Sequence, residues 1–336
     1  QCTASSASIS RVADSAETDS NDGMNCPVVW SVAQTYAPTP GPCPEDEVCW
    51  TDASIQPWDC QGEMRPVQVL KDSDESVYRA MTLNLETGEY EDLFELEFSE
   101  DQHVNAVGLL GSPVTAPTTF YAVGKFDERL CRFDDEAKVC FSTELEVKAN
   151  AGVIGGVNYY YALNLGQEDT RIHVVEGVNG DFPVFHSNDE QFAVSPSLFE
   201  DEILDFAFVS EADRTVIDDD EDRGLYLIGL ARDLSVFVAK ITDGIPSHYA
   251  IVRGTADWDQ EDEPEDPGTY GAAFAYEPSD GSLTKVYFAS NEGTGMLQLQ
   301  LPLTIDDECW MTGLDATAHT VCATSASLKW VVSSDE

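Results

Sequence analysis

The sequence predicts an all-β protein, and three observations support that prediction. Apolar or alternating runs of four to eight residues recur from about residue 66 onward, as in "TTFYAVG", "GLYLIGLA" and "KVYFAS". These runs are rich in Val, Tyr, Phe and Leu, which favour strands, and they are too short and too often interrupted for helices. Clusters of Gly, Asp, Asn and Pro separate the runs and indicate turns.

A repeated sequence pattern shows how these strands are ordered along the chain. Each copy places a tyrosine near the start of an apolar run, and a strand of small apolar residues comes before it. The tyrosines are Tyr121, Tyr161, Tyr226 and Tyr287, and the preceding strands are predicted at 105–110, 152–157, 204–209 and 270–276. Four short strands at a period of roughly 40 to 50 residues are typical of one blade of a β-propeller.

The sequence therefore predicts a β-propeller of about six blades, within a range of five to seven. The stretch "YRAMTLNLETGEYEDLFELEF" is expected to form the outer two strands of an earlier blade, and residues 303–336 a further partial or complete blade. A large β-sandwich is the alternative, because sandwiches also consist of short strands with frequent turns.

The strand pattern resembles that of extracellular β-propellers in the broad sense. In that group a small apolar strand leads to a Tyr-centred strand and then to a strand like Leu-x-Arg-Phe, here "NAVGLL", "FYAVGKF" and "RLCRFD". The resemblance covers about residues 66–336. It implies the propeller fold and no particular substrate.

Residues 1–65 differ in composition from the predicted propeller domain at 66–336. They are rich in turns, and closely spaced prolines forbid regular structure between 37 and 45. They hold five of the nine cysteines: Cys2, Cys26, Cys43, Cys49 and Cys60. We interpret them as a small disulfide-stapled module or as an extended arm packed on the main domain.

The remaining cysteines predict two further disulfides. Cys131 and Cys140 flank a tight acidic turn centred between Asp135 and Glu136, so they face each other across a hairpin at disulfide distance. Cys309 and Cys322 could pair in the same way in the last blade, or one of them could bond to the 1–65 segment. Nine is an odd number and the five cysteines of 1–65 cannot all pair among themselves, so one cysteine is left over, which is free, joined to the C-terminal part, or bonded to another chain. "CTASSASIS" near the start also resembles "CATSASLKW" from Cys322, which would suit related positions of the two ends, as in ring closure or head-to-tail assembly.

The charge of the chain excludes several partners. The 63 acidic residues outnumber the 17 basic residues and give a net charge of -46, which repels nucleic acid and anionic membranes. There is also no apolar stretch long enough to span a membrane. A solvated acidic shell suits a saline medium, where self-repulsion is screened. Together with the cysteines and the start at Gln1, this predicts a processed protein outside the cell or at its surface.

The acidic stretch "VIDDDEDRG" is a candidate calcium site. Asp218, Asp220 and Asp222 stand at alternate positions before a glycine, and Ca²⁺ prefers carboxylate oxygens. The stretch lacks the sixth-position glycine and the bidentate glutamate of an EF-hand, so a solvated loop tip is the favoured interpretation. No cofactor is predicted apart from this candidate Ca²⁺.

The sequence favours a non-enzymatic function. It contains no Gly-x-Ser-x-Gly motif and no Walker or dinucleotide glycine pattern, and its carboxylates are too numerous to mark a catalytic pair. The leading hypothesis is a structural or adhesive building block of an extracellular assembly, such as a filament subunit that contacts copies of itself or other surface proteins. The alternatives are a secreted hydrolase or lactonase with a metal in the central channel, and a carbohydrate-binding propeller.

Overall fold

The computed structural model describes strands separated by loops. The described residues are 21–25, 55–56, 66–71, 77–85, 90–96, 104–110, 119–124, 129–144, 149–155, 159–165, 170–178, 184–185, 192–194, 203–210, 216–217, 224–231, 234–256, 270–276, 285–290, 296–312 and 322–330. Apart from a three-residue 3-10 turn, Asp307–Cys309, the regular structure in these ranges is β.

The described strands form four hydrogen-bonded sheets, and the largest, with nine strands, contains two antiparallel units joined at their outer edges. We call the resulting five antiparallel units blades 1 to 5 in chain order. Blade 1 contains β1 (Asn21–Asn25), β2 (Pro66–Lys71), β3 (Tyr78–Leu83) and β4 (Tyr90–Leu96). Blade 2 contains β5 (Val104–Leu110), β6 (Thr119–Gly124), β7 (Arg129–Phe133) and β8 (Lys138–Glu144). Blade 3 contains β9 (Ala149–Gly155), β10 (Tyr159–Leu165), β11 (Thr170–Glu176) and two short outer strands, β12 (Val184–Phe185) and β13 (Phe192–Val194).

The last two blades are joined along their outer edges. Blade 4 contains β14 (Ile203–Ser210), β15 (Leu225–Ala231), β16 (Val236–Thr242) and β17 (Ile245–Ala256). Blade 5 contains β18 (Tyr270–Tyr276), β19 (Lys285–Ser290), β20 (Met296–Leu299) and β22 (Cys322–Trp330). The short β21 (Met311–Thr312) pairs with β17, and β22 also pairs with β17 in parallel.

The first strands of the five blades form a ring. Strand β5 lies between β1 and β9, strand β14 lies between β9 and β18, and β18 returns to β1. Five hydrophobic clusters fill the five seams between neighbouring blades, including the seam between blades 5 and 1. A closed ring of radial four-stranded sheets is the architecture of a β-propeller. The predicted fold is therefore present, and the described residues form five blades, at the lower end of the predicted range.

The ring explains the apolar runs of the sequence. Each blade is covered on both faces by its neighbours, so its strands carry apolar residues without strict alternation, as in "LYLIGLA" of β15. The inner strands are also crowded. A Cβ atom on Gly23 would lie 2.8 Å from the backbone N and O of Ala273, and one on Gly108 would lie 2.8 Å from the backbone N of Ile154. Small residues at these positions let the blades approach the axis.

The repeated tyrosines mark equivalent strands, as predicted. Each lies on the second strand of its blade, in β6, β10, β15 and β19, and the small-residue strands before them are the inner strands of blades 2 to 5. The stretch from Tyr78 to Leu96 supplies the outer strands of blade 1, also as predicted.

Two segments differ from the expectation. Residues 303–336 do not start another blade in the described part, because β22 pairs with β20 and so completes blade 5. Strand β1 comes from the segment 1–65, yet it is the inner strand of blade 1. In both cases the pairing partner is far away in sequence, and a local pattern does not reveal it. Gln56 is a second link from this segment, since its backbone N–H donates to Asp134 Oδ2 at 2.6 Å.

Candidate functional site

The axis of the ring is held together by one buried carboxylate. Asp205 on β14 is 1% exposed, and its Oδ2 accepts hydrogen bonds from the backbone N–H groups of Gly23, at 3.2 Å, and of Ala273. Its Oδ1 accepts the N–H of Phe206 at 2.8 Å. Oδ2 therefore joins β14 of blade 4 to the inner strands of blades 1 and 5, whereas Oδ1 bonds within β14 itself. A carboxylate used in this way has a structural role, because buried charge is stable only when it is hydrogen-bonded.

A row of aromatic rings lies in the seam between blades 3 and 4, which we call the 3/4 seam. Tyr161 is the central ring and is 1% exposed. Tyr159 stacks on one side of it and Phe208 on the other, each with a centroid distance of 6.2 Å. Tyr159 and Phe208 are only partly buried. The row therefore extends from the buried core of the seam to aromatic side chains that are partly exposed.

A tight turn of blade 4 covers one end of the row. Asp243 and Gly244 connect β16 to β17, and both have positive φ, 52° and 83°. These angles define a two-residue type I′ hairpin turn, for which Asp-Gly is a favoured pair. The carbonyl of Gly244 accepts a hydrogen bond from the Tyr161 hydroxyl at 2.8 Å. A Cβ atom on Gly244 would lie 2.5 Å from the Tyr159 hydroxyl oxygen, so this position needs glycine for space as well as for its φ.

Two carboxylates lie close to the outer ring. Tyr159 donates a hydrogen bond to Glu176 Oε1 at 3.4 Å. Partial burial, then the charge and hydrogen bond of Glu176, and then the charge of Asp243 raise the pKa of Tyr159 above its ordinary value. Burial also raises the pKa of Tyr161, with smaller contributions from Tyr159 and Glu176. Both hydroxyls are therefore neutral at physiological pH, and the carboxylates make this part of the seam negative.

The chemistry of the seam suits recognition more than reaction. Partly exposed aromatic rings offer flat apolar surface, and carboxylates accept hydrogen bonds from hydroxyl or amino groups. The simpler interpretation is that the rings only pack blades 3 and 4 together. Tyr161 does so, because it is buried and bonded across the seam. Tyr159, Phe208, Glu176 and Asp243 are the members that reach solvent.

The predicted disulfide in blade 2 is present. Cys131 and Cys140 are bonded and are direct partners in the register of β7 and β8. Asp134 shapes the turn between them, since its Oδ1 accepts the N–H groups of Glu136, at 3.0 Å, and Ala137, at 2.7 Å. Cys309 is also disulfide-bonded and buried.

The other predicted site residues stay predictions. The backbone of Cys322 lies in β22, but its side chain is outside the described residues, so the Cys309–Cys322 pairing is not settled. Cys2, Cys26, Cys43, Cys49 and Cys60 lie outside the described residues, and so do Asp218, Asp220 and Asp222. The structure describes the first two residues of the stretch "VIDDDEDRG", Val216 and Ile217. These two are buried, and the N–H of Leu303 donates to the Val216 carbonyl at 2.7 Å.

Sequence reasoning missed the 3/4 seam. Its residues come from β10, β11, β14 and one turn, and nothing local shows that these elements meet. The Asp-Gly pair between the apolar runs of β16 and β17 was the available signal for the turn. Within the described residues, no group of three or more His, Cys, Asp or Glu side chains is placed to hold a metal ion. Nor do these residues contain a helix long and apolar enough to cross a membrane.

The fold and the seam together define a five-bladed β-propeller, over the described residues, with an aromatic and acidic surface between two blades. No model of a known protein family matches the sequence, and no curated protein matches it. Among solved structures, the chain is similar to a fungal lectin, the Aleuria aurantia lectin. That protein is described as a six-bladed β-propeller with a novel mode of fucose recognition. The two share 10% identity and a TM-score of 0.40, over 92% of this chain and 84% of the lectin.

Proposed function

We propose that this protein is a non-catalytic β-propeller that binds carbohydrate outside the cell. One observation carries the proposal: two partly exposed rings, Tyr159 and Phe208, lie in the 3/4 seam, and Tyr159 is next to Glu176 and Asp243. Sugar rings present C–H groups that pack on aromatic faces and hydroxyl groups that donate to carboxylates. A binding site of this kind needs no metal and no nucleophile.

The hydrogen bonding of Asp205 supports a non-catalytic interpretation. A metal-dependent hydrolase of the propeller type would need carboxylate oxygens directed to a metal and substrate. The oxygens of Asp205 instead accept backbone N–H groups of three inner strands. The close packing of Gly23 against the backbone of Ala273 also leaves little space near Asp205.

A glycan array tests the proposal. The full chain, kept folded in saline buffer, should retain a restricted set of immobilised saccharides, and a soluble form of the same saccharide should compete for binding. Retention of no saccharide, with near-ultraviolet circular dichroism showing a folded protein, would contradict carbohydrate binding.

A second candidate function is that of a structural subunit in an extracellular filament. The nine cysteines favour it, because an odd number leaves at least one cysteine without a partner in its own chain. Strand β22 adds to this, since it carries the sequence "CATSASLKW", which resembles "CTASSASIS", and joins the outer edges of blades 4 and 5. A non-reducing gel and negative-stain microscopy of native material test this candidate. Disulfide-linked oligomers and filaments are expected, whereas monomers in both experiments would argue against it.

A further inference from the structure

On β11 and β16, two strands of the 3/4 seam, the basic residues and the acidic Glu176 lie on opposite faces. Along β11, Ile172 and Val174 pack into the 3/4 seam, so Glu176 is on the same face by strand alternation, whereas Arg171 lies on the opposite face. Along β16, Phe237, Ala239 and Ile241 face the 3/4 seam. Lys240 therefore faces the seam between blades 4 and 5, where its neighbours Val236 and Val238 are packed. The basic residues of these two strands point away from the seam, and Glu176 points into it.

The turn adds a second negative charge to this surface. Asp243 is exposed, and its charge, like that of Glu176, raises the pKa of Tyr159. The chain as a whole carries a net charge of -46, so the long-range field has the same sign as the local one. Both the local and the long-range field therefore repel anionic saccharides such as uronates. A group that combines a flat apolar face with a positive charge would complement the seam.

We propose that the 3/4 seam binds a saccharide with free amino groups, such as an oligomer of glucosamine. One sugar ring of the oligomer packs against Tyr159 and another packs against Phe208, and an ammonium group on the first donates hydrogen bonds to Glu176 and Asp243. Charge-assisted hydrogen bonds of this type are roughly twice as strong as neutral ones. A cation beside an aromatic ring gains further attraction from the ring face. This proposal rests on the proposed carbohydrate-binding function and assigns it a site and a ligand class.

Isothermal titration calorimetry with four defined probes tests the proposal on the full chain. The probes are tetramers of glucosamine, N-acetylglucosamine and galacturonic acid, and tetralysine. We expect the glucosamine tetramer to bind at least about tenfold more tightly than the N-acetylated tetramer, because acetylation removes the charge that the two carboxylates recognise, and tenfold corresponds to only about 1.4 kcal/mol. The galacturonic acid tetramer should not bind.

Matched variants locate the site. Glu176→Gln and Asp243→Asn each remove one carboxylate without changing the shape of the side chain, and Asn-Gly also forms type I′ turns. Each should weaken glucosamine binding about tenfold. The control is Glu91→Gln, which removes the same charge from an exposed position on β4 in blade 1. It should change affinity less than twofold, and the thermal midpoints of all three variants show whether they remain folded.

The outcomes separate the two proposals. If none of the saccharides binds here or on the array, the proposed function fails. If the N-acetylated tetramer binds as tightly as the glucosamine tetramer, and the seam variants behave like Glu91→Gln, the protein binds carbohydrate but the amino-sugar site is wrong. If tetralysine binds as tightly as the glucosamine tetramer and responds to the same variants, the seam recognises a basic protein segment, which also overturns the proposal.

Discussion

Two buried polar residues, Asp205 and His173, are accommodated in the interior in different ways. Asp205 accepts hydrogen bonds from backbone N–H groups of three blades, and these bonds replace the water that its carboxyl group loses on burial. His173 on β11 is 2% exposed, and by strand alternation it lies on the same face as Val175, which packs between blades 2 and 3. Burial, and to a lesser extent the charge of Arg171, lower the pKa of His173 to about 4. The folded protein therefore holds this imidazole in its neutral form.

The low pKa of His173 predicts a loss of stability in mild acid. The unfolded chain takes up a proton on this residue below its ordinary pKa of 6.5, whereas the folded protein resists protonation down to about 4. The free energy of unfolding should therefore fall as the pH drops from 6.5 to 4, with this residue contributing up to about 3 kcal/mol. Below both values the contribution is constant.

Urea denaturation at pH 7 and at pH 4.5 measures this effect. His173→Leu should lose less stability between the two pH values than the wild type does. His248→Leu is the matched control, because His248 is exposed on β17, and it should follow the wild type. A His173→Leu variant with unchanged pH dependence would mean that this imidazole is not held neutral by the fold.

At the scale of single elements, the hairpin of β7 and β8 shows what a local pattern can predict. Its centre, its register and its disulfide follow from two cysteines placed symmetrically about an acidic turn. Strand β1 shows the opposite case. Its sequence, "NDGMN", has no apolar alternation. It is a strand because β2 pairs with it and because Gly23 fits against β18 and Asp205, and these contacts are distant in sequence.

The disulfide predicts a local contribution to stability. It closes a short loop, since the two cysteines are separated by 9 positions, and in the chain-entropy account such a bond stabilises by about 2–3 kcal/mol. The double variant Cys131→Ala with Cys140→Ala should lose about that amount. Hydrogen exchange should show faster exchange in β7 and β8 and little change in blade 4. An equal increase in exchange over all blades would contradict a local role.

At the scale of the whole molecule, the sequence predicts the architecture better than the site. The blade repeat follows from composition and turn spacing, because most of the strand pairs within a blade are neighbours in the chain. The 3/4 seam depends on how Tyr159, Glu176, Phe208 and Asp243 meet across two blades. Such an arrangement follows only from the ring itself. The completion of blade 5 by β22 was missed for the same reason.

The net charge of -46 predicts a protein that is more stable in salt. Repulsion among carboxylates destabilises the compact state, and salt screens it as the Debye length falls from about 10 Å at 0.1 M to about 3 Å at 1 M. The thermal midpoint should rise with NaCl, and KCl of equal ionic strength should give the same rise. A midpoint that responds only to Ca²⁺ at fixed ionic strength would instead indicate specific calcium sites.

A crystal structure of the protein with a glucosamine tetramer would show where the sugar binds. We expect sugar density in the 3/4 seam, against Tyr159 and Phe208, with an amino group within hydrogen-bonding distance of Glu176 or Asp243. We also expect that Asp205 still joins β1, β14 and β18 in the complex. Sugar density on the axis beside Asp205, or in a different seam with the 3/4 seam empty, would contradict the proposed site.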